Sequence, residues 1–277
     1  MRADVDSVPH PASVAASITP MNLPKFLLTA SLFLIATIGV SQAADSSGRV
    51  YELRTYTTHP GKAAALQARF RDHTLKLFEK HGMVNVGYWV PVDAKDGGAE
   101  KLLYLLEHKS REAAKASWKA FSSDAQWQAV RTKSEEGGKI VAKVETVFLT
   151  DTDYSKAMAA GNGKGGQRLF ELRTYVAAPG KLGDLDARFR NHTVALFAKH
   201  GMTNLGYFHP TDTDKGAGST LIYFVAHANA DAAAASWKGF REDAAWVKAR
   251  TESEKGGKLT AKVESIYLKP VDFSKIK

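Results

Sequence analysis

Glu52, Arg54 and Tyr56 stand at alternate positions, and Glu171, Arg173 and Tyr175 repeat the arrangement. The segment Val50 to Thr57 alternates and is rich in β-formers, so it reads as a strand whose alternate side chains share one face. A guanidinium on that face can hold an anion through two parallel N–H bonds, and a phenol beside it can donate another. The competing use of the same groups is internal. Glu and Arg then pair with each other, or with Lys143 and Glu145 on the last strand of the repeat, because buried charge is normally paired. His108 and Tyr104 also share a strand face, and they recur as His227 and Tyr223. A histidine at a strand end beside a cleft can act as a base or as an axial ligand to haem; as a rim residue it does neither. These residues form the candidate ligand-binding set. No catalytic residue is assigned among them. No metal site is assigned either, because no His-Glu-x-x-His or comparable spacing occurs.

Other candidates read as structural. His73 and His192 lie two helical turns after Leu66 and Leu185, at the border of a core-facing stripe. His81 and His200 fall in a last helical turn before glycine, where a cation suits the helix dipole. Trp118, Trp127 and their counterparts Trp237 and Trp246 read as aromatic anchors of a helix on a sheet. Gly137-Gly138 and Gly256-Gly257 follow helices and precede strands, the wrong order for a phosphate loop. Neither a Gly-x-Ser-x-Gly elbow nor a dinucleotide fingerprint is present.

The elements that position these residues come twice. Tyr51 maps onto Phe170, an offset of 119 (170 − 51), and the same offset carries Pro60-Gly61-Lys62 to Pro179-Gly180-Lys181 and Trp118 to Trp237. No gap is needed from Tyr51 to Lys156. Within one copy, the spacing predicts a strand over 50–57, a helix over 62–81 stopped by Gly82, and strands over 84–90 and 101–108 joined by a polar hairpin. A helix over 110–133, broken near Ser122-Ser123-Asp124 by a new N-cap, and a strand over 140–149 complete it. The order β-α-β-β-α-β is the ferredoxin-like arrangement, an α+β fold with two helices on one sheet face. The other face needs a cover, which the second copy supplies. The two repeats are therefore expected to pack as an intramolecular dimeric α/β barrel, an internal pseudo-dimer. In this reading Leu53 packs against the helices, while Glu52, Arg54 and Tyr56 face a cleft between the sheets. Domain 1 spans 49–156 and domain 2 spans 169–277. A linker over 157–168 carries Gly161, Gly163, Gly165 and Gly166.

Residues 1–43 read as a leader. Lys25 precedes an uncharged apolar run, Phe26 to Val40, and Ser41-Gln42-Ala43 offers small residues for cleavage after Ala43. Met21 makes the better start, and the run is short for a spanning helix of about 20 residues. The expected location is secreted or periplasmic, without a stable membrane span after cleavage. A composition of 44% hydrophobic and 24% charged residues marks a globular protein. The absence of cysteine excludes disulfides, iron–sulfur clusters and Cys-ligated zinc. The net charge of +9 is dispersed among acids in both repeats, a pattern that reads against nucleic-acid binding.

Tyr51-Glu-Leu-Arg-Thr-Tyr56 with Pro60-Gly61-Lys62, then Lys80-His81-Gly82, Gly87-Tyr88-Trp89 and the pair Trp118 and Trp127, each with its second-copy counterpart, together resemble the NIPSNAP domain. The resemblance implies the dimeric α/β barrel fold. Animal relatives are mitochondrial and are linked to vesicle transport and mitochondrial quality control. This chain differs in its secretory leader, so those organelle roles are not carried over. The expectation is an exported tandem protein that binds a small, anionic ligand or a protein partner, with no cofactor. A cofactor-independent monooxygenase or isomerase, or a haem-binding protein, are the alternatives that the wider barrel superfamily implies. Trp89 against Phe208, Val90 against His209, Glu107 against Ala226 and His59 against Ala178 are the differences expected to tune a single site, if there is one.

Overall fold

In the computed structural model, residues 48–156, 158 and 168–277 are described. The leader and most of the linker lie outside them. Each repeat opens with a strand, β1 (Val50–Thr58) or β5 (Leu169–Ala177). Pro60-Gly61 and Pro179-Gly180 turn the chain into a helix. That helix is not the single rod expected over 62–81. It runs as α1 (Ala63–Arg69) and α2 (Leu75–Lys80) around a π-helical turn at Phe70–Thr74. The wider turn takes the Arg69 carbonyl out of the normal ladder, and the Thr74 hydroxyl donates to it at 3.0 Å. The second repeat does the same: α5 (Leu182–Arg188), a π turn at Phe189–Thr193, then α6 (Val194–Lys199), with Thr193 bonding the Arg188 carbonyl at 3.2 Å.

Strands β2 (Val84–Pro91) and β3 (Lys101–His108) follow in the first copy, and β6 (Thr203–Pro210) and β7 (Thr220–His227) in the second. Ser110 then caps α3 (Arg111–Ser122), and Asp124 caps α4 (Ala125–Ser134) by accepting from the amides of Gln126 and Trp127. The expected break and new N-cap therefore fall where the serine–aspartate run places them. Asn229 and Asp243 serve α7 (Ala230–Glu242) and α8 (Ala244–Ser253) in the same way. His81 also bonds Asp124, at 2.8 Å, and His200 bonds Asp243, at 2.7 Å. These histidines thus tie the ends of α2 and α6 to the caps of α4 and α8. Strands β4 (Val141–Asp151) and β8 (Thr260–Pro270) end the repeats.

The eight strands close into one antiparallel barrel in the order β1-β3-β2-β8-β5-β7-β6-β4. Two short seams join the copies. Trp89 to Pro91 pairs with Pro270 to Leu268, and Leu149 to Asp151 pairs with Pro210 to Phe208. Closure leaves no sheet edge exposed. The barrel interior is a single apolar core drawn from both copies, including Tyr51, Leu53, Trp89, Leu103, Leu105, Phe170, Leu172, Phe208 and Phe224. Met158 reaches the same core from the linker. Gly87 and Trp89 show how tightly it is filled: a Cβ on Gly87 would come within 2.2 Å of the Trp89 ring. Gly87 follows a β-bulge against β3, so glycine is needed there for the close approach.

This filling reverses one expectation. Leu53 does not face the helices; it faces the lumen. Tyr56 and Tyr104 lie in a separate core with Phe70, Phe78 and Phe121 beneath the helices of the first repeat, and Tyr175 and Tyr223 lie in its counterpart. The even-numbered positions of β1 therefore point outward, toward α1–α4. A closed barrel has no route by which water could solvate charged lumen groups, so the apolar alternate set takes the inside.

Candidate functional site

The polar set assembles between the sheet and the helices, once in each repeat. Glu52 is 1% exposed, and donors occupy both of its carboxylate oxygens. Arg54 Nη1 lies 2.5 Å from Oε1; Trp118 Nε1 lies 2.6 Å and His108 Nε2 2.9 Å from Oε2. The Arg54 guanidinium stacks on the Trp118 ring at 4.2 Å and stands 5.6 Å from the ring centre of Tyr56. Tyr104, paired with Arg54 across the ladder, keeps its hydroxyl buried and without a bonding partner among the described residues. The internal alternative weighed for Glu52 and Arg54 thus holds for the pair itself. Lys143 and Glu145 take no part in it; they pair with each other at 2.8 Å on the surface.

The second repeat copies this network and adds to it. Glu171 accepts from Arg173 at 2.5 Å, Trp237 at 2.7 Å and His227 at 3.1 Å. Ser265, opposite Arg173 on β8, adds a fourth donor at 2.5 Å. Arg173 Nη2 reaches the Tyr175 hydroxyl at 3.2 Å, and its guanidinium lies 4.4 Å from the Trp237 ring. Glu171 and Arg173 then line a cavity of 350 Å³ that also takes in Tyr175, Trp237, Arg241 and Tyr267.

Electrostatics follow from this packing. Burial pushes the Glu171 carboxyl up, but the bonds from His227 and Ser265 and the charge of Arg173 outweigh it and bring it down to about 2. Glu52 is lowered for the same reasons, burial opposing His108, Arg54 and Trp118. Burial also opposes the charge on Arg54 and Arg173. Their neighbouring phenols and carboxylates more than offset it, so both guanidinium groups are held charged. Desolvation drives the Tyr104 and Tyr223 phenols well above their ordinary value. At neutral pH they are protonated donors rather than bases.

The NIPSNAP family model matches residues 51–156 and again 170–275. The chain belongs to the NIPSNAP family. A NipSnap homolog from Dictyostelium discoideum is 28% identical over 137 residues, 49% of this chain and 52% of that protein, so the chain spans about half the length of this curated relative. The crystal structure of an anthrone oxidase-like protein aligns with a TM-score of 0.50 at 14% identity, covering 83% of this chain and 94% of that one. A NIPSNAP family protein from Agrobacterium tumefaciens aligns with a TM-score of 0.34 at 18% identity, over 38% of this chain and 95% of its own. The α+β architecture with a closed eight-strand barrel is what this chain shares with the oxidase-like structure.

All ten candidate residues lie in these two NIPSNAP-repeat networks, Glu52, Arg54, Tyr56, Tyr104 and His108 in one and Glu171, Arg173, Tyr175, Tyr223 and His227 in the other. Their position differs from the expected cleft between sheets, because that space is the filled lumen. An axial role in haem binding does not fit His108 or His227. Nε2 of each is spent on a carboxylate, and Nδ1 is buried without a partner or an opening to solvent. Among the described residues no three His, Asp or Glu side chains form a group able to hold a metal ion, and no helix is long and apolar enough to cross a membrane. His73 and His192 sit exposed on grooves between the first helical segment and the last helix, away from the networks.

The sequence reading missed several features. Trp118 and Trp237 are not only anchors; each donates to the buried glutamate and carries the arginine on its ring. Their retention beside Glu and His in both copies was the available signal. Arg69 and Arg188 are buried on the helix side, each paired with a glutamate at the foot of the last helix, Glu135 at 3.0 Å and Glu254 at 2.9 Å. Ser265 and Tyr267 stand where the first copy has Thr146 and Phe148. Arg241 stands where it has Ser122. Finally, two of the four differences thought to tune a site lie away from the networks. Trp89 and Phe208 fill the lumen, and His209 bonds the Thr220 carbonyl at 2.8 Å and Asp186 at 3.2 Å.

Proposed function

We propose that this protein binds a small anionic ligand between sheet and helices, with a braced arginine, Arg54 or Arg173, as the anchoring cation. The observation that carries this reading is the saturation of the buried glutamate. Both oxygens of Glu52 and of Glu171 are engaged, Oε1 by the arginine and Oε2 by the tryptophan and the histidine, so the carboxylate is a brace and not a free base. What the brace holds in place is a desolvated guanidinium, and a preorganised, weakly hydrated guanidinium is a good anion receptor. The cavity beside Arg173 gives a ligand room, at the lower end of the usual size for small-molecule sites.

Native mass spectrometry of the full chain tests this. A retained small molecule should be found on the wild type, and Arg173→Ala should lose it or weaken it by about tenfold or more, the scale of a charged hydrogen bond. A ligand retained equally by Arg54→Ala and Arg173→Ala would sink the reading. A second reading, a cofactor-independent oxygenase or isomerase, draws support from the buried, unpartnered Tyr104 and Tyr223 hydroxyls beside the arginines. It requires oxygen uptake or turnover with an electron-rich phenol or quinol that Tyr104→Phe or Tyr223→Phe abolishes.

Export is part of the proposal. The apolar run Phe26 to Val40 and the small residues before Ala44 support cleavage after Ala43. N-terminal sequencing of the protein from the periplasm or medium should begin at Ala44; a protein found only inside the cell with residues 21–43 intact would contradict it.

A further inference from the structure

The two networks are near copies, but their surroundings differ at a few positions with one chemical direction. In the second repeat Arg241 and Arg250 join Arg173 on the wall of the 350 Å³ cavity. The only carboxylate on that wall is Glu171, and it is already spent on Arg173. Neither Arg241 nor Arg250 has an acidic partner within 4.0 Å among the described residues, although both are exposed and free to find one. The first repeat is arranged otherwise. Ser122 replaces Arg241, and Arg131, the counterpart of Arg250, lies 3.6 Å from Glu135.

The roof differs as well. Phe148, the counterpart of Tyr267, is covered by the Arg111 guanidinium at 3.6 Å. Arg111 is held there by Asp212 of the second repeat, at 3.1 Å. Ala230 stands at the position of Arg111 in the second copy and cannot cover anything, so Tyr267 lines the open cavity. The depression beside Trp118 in the first repeat is walled by Arg111, Glu112 and Lys115, and it does not include Arg54.

We propose that the second-repeat cavity is a receptor for an aromatic carboxylate of one or two rings, and that the first-repeat network is not. The ring lies among Trp237, Trp246 and Tyr267, and the carboxylate is held at the mouth by Arg241 and Arg250. Three guanidinium groups against one carboxylate leave a wall with two uncompensated positive charges, and a monoanion is drawn into it. Aromatic walls select a flat, polarisable ligand over an aliphatic acid of the same charge. This assignment rests on the anion-binding reading above and gives it a ligand class and one location.

Binding of 2-naphthoate to the full chain, followed by tryptophan fluorescence and by equilibrium dialysis for stoichiometry, decides the matter. One equivalent should bind per chain. Arg241→Ser, which installs the first-repeat residue, and Arg250→Ala should each raise Kd about tenfold or more. Arg190→Ala removes an equal charge from a surface pair with Asp153 and should leave Kd within about twofold. Neutral 2-naphthol and cyclohexanecarboxylate should both bind at least about tenfold more weakly than the probe. Arg241 and Arg250 are exposed, so their loss leaves the core intact, and an unchanged unfolding curve would verify this. Two equal equivalents per chain, a Kd indifferent to Arg241→Ser, or no binding of the probe would overturn the assignment. A retained ligand lost in Arg173→Ala but kept in Arg241→Ser would overturn it while leaving the broader anion-binding reading standing. Naphthoate binding that depends on Arg241 and Arg250 but survives Arg173→Ala would support the cavity while removing Arg173 as its anchor.

Discussion

Glu171→Ala will lower the free energy of unfolding by about 3–5 kcal/mol, the cost of breaking a buried, hydrogen-bonded charge pair from one side. The substitution removes no packing surface of consequence. It leaves the Arg173 guanidinium, the Trp237 indole N–H and the His227 Nε2–H without their buried acceptor. Glu171→Gln should recover only part of the loss, since an amide offers one acceptor oxygen and sets an NH2 group against the remaining donors. Urea unfolding at pH 7 measures both variants. A loss below about 1 kcal/mol would mean that the donors reach water and the network is not the brace described.

The same carboxylate gives an acid signature. Its pKa falls from the ordinary 4.5 to about 2 on folding. A lowered folded value stabilises the native state above the unfolded pKa, and this contribution is lost as pH falls from 4.5 toward 2. It amounts to about 3 kcal/mol at neutral pH. Acid unfolding of Glu171→Ala should therefore show a shallower decline through that window than the wild type. An identical slope would place the acid sensitivity on other carboxylates.

Trp89→Ala should destabilise the protein by about 3–5 kcal/mol, through the cavity left in the barrel interior. Trp89 is fully buried, stacks on Phe224 at 5.3 Å and lies 5.7 Å from Phe170, both in the other repeat. Its neighbour Gly87 lies against the ring, and backbone so constrained by the bulge can collapse only partly. Trp89→Phe, the residue at the equivalent Phe208, should cost far less, about 1–2 kcal/mol. It leaves a smaller void and removes an indole N–H that is buried without a partner among the described residues. Hydrogen exchange should show Trp89→Ala loosening β5 and β7 as well as β2 and β3, because the lumen is shared. Loosening confined to the first repeat would mean that the two halves hold separate cores.

Much of this was legible locally. The repeat, the strand and helix order, the glycine stop after each first helix and the aspartate cap of each last helix all follow from short-range signals. Each is decided within one or two turns of chain by backbone preference and capping. The π turn was not legible, because Phe70–Thr74 carries ordinary helical residues. Only the Thr74 hydroxyl reaching the Arg69 carbonyl reveals it. The grouping of the candidate residues was also legible, since a glutamate, an arginine and a tyrosine kept at alternate positions of two strands share a face wherever that face points. The asymmetry was misread. Trp89 and Phe208 stand out in an alignment of the two copies, yet they pack the lumen, whereas the differences at the cavity wall, Ser122 against Arg241 and Phe148 against Tyr267, carry no local signal.

What the sequence alone determined is the doubled β-α-β-β-α-β order and the membership of each strand face. What only the tertiary structure decided is which face is the inside. Alternation along β1 separates Tyr51 and Leu53 from Glu52, Arg54 and Tyr56, but both sets contain apolar surface and either could cover a sheet. The choice is made by closure. Once β2 meets β8 and β4 meets β6, the lumen is sealed from water and must be filled by apolar side chains of both copies. The charged set goes outward, where tryptophans from α3 and α7 can satisfy the glutamates and a cavity can still open to solvent.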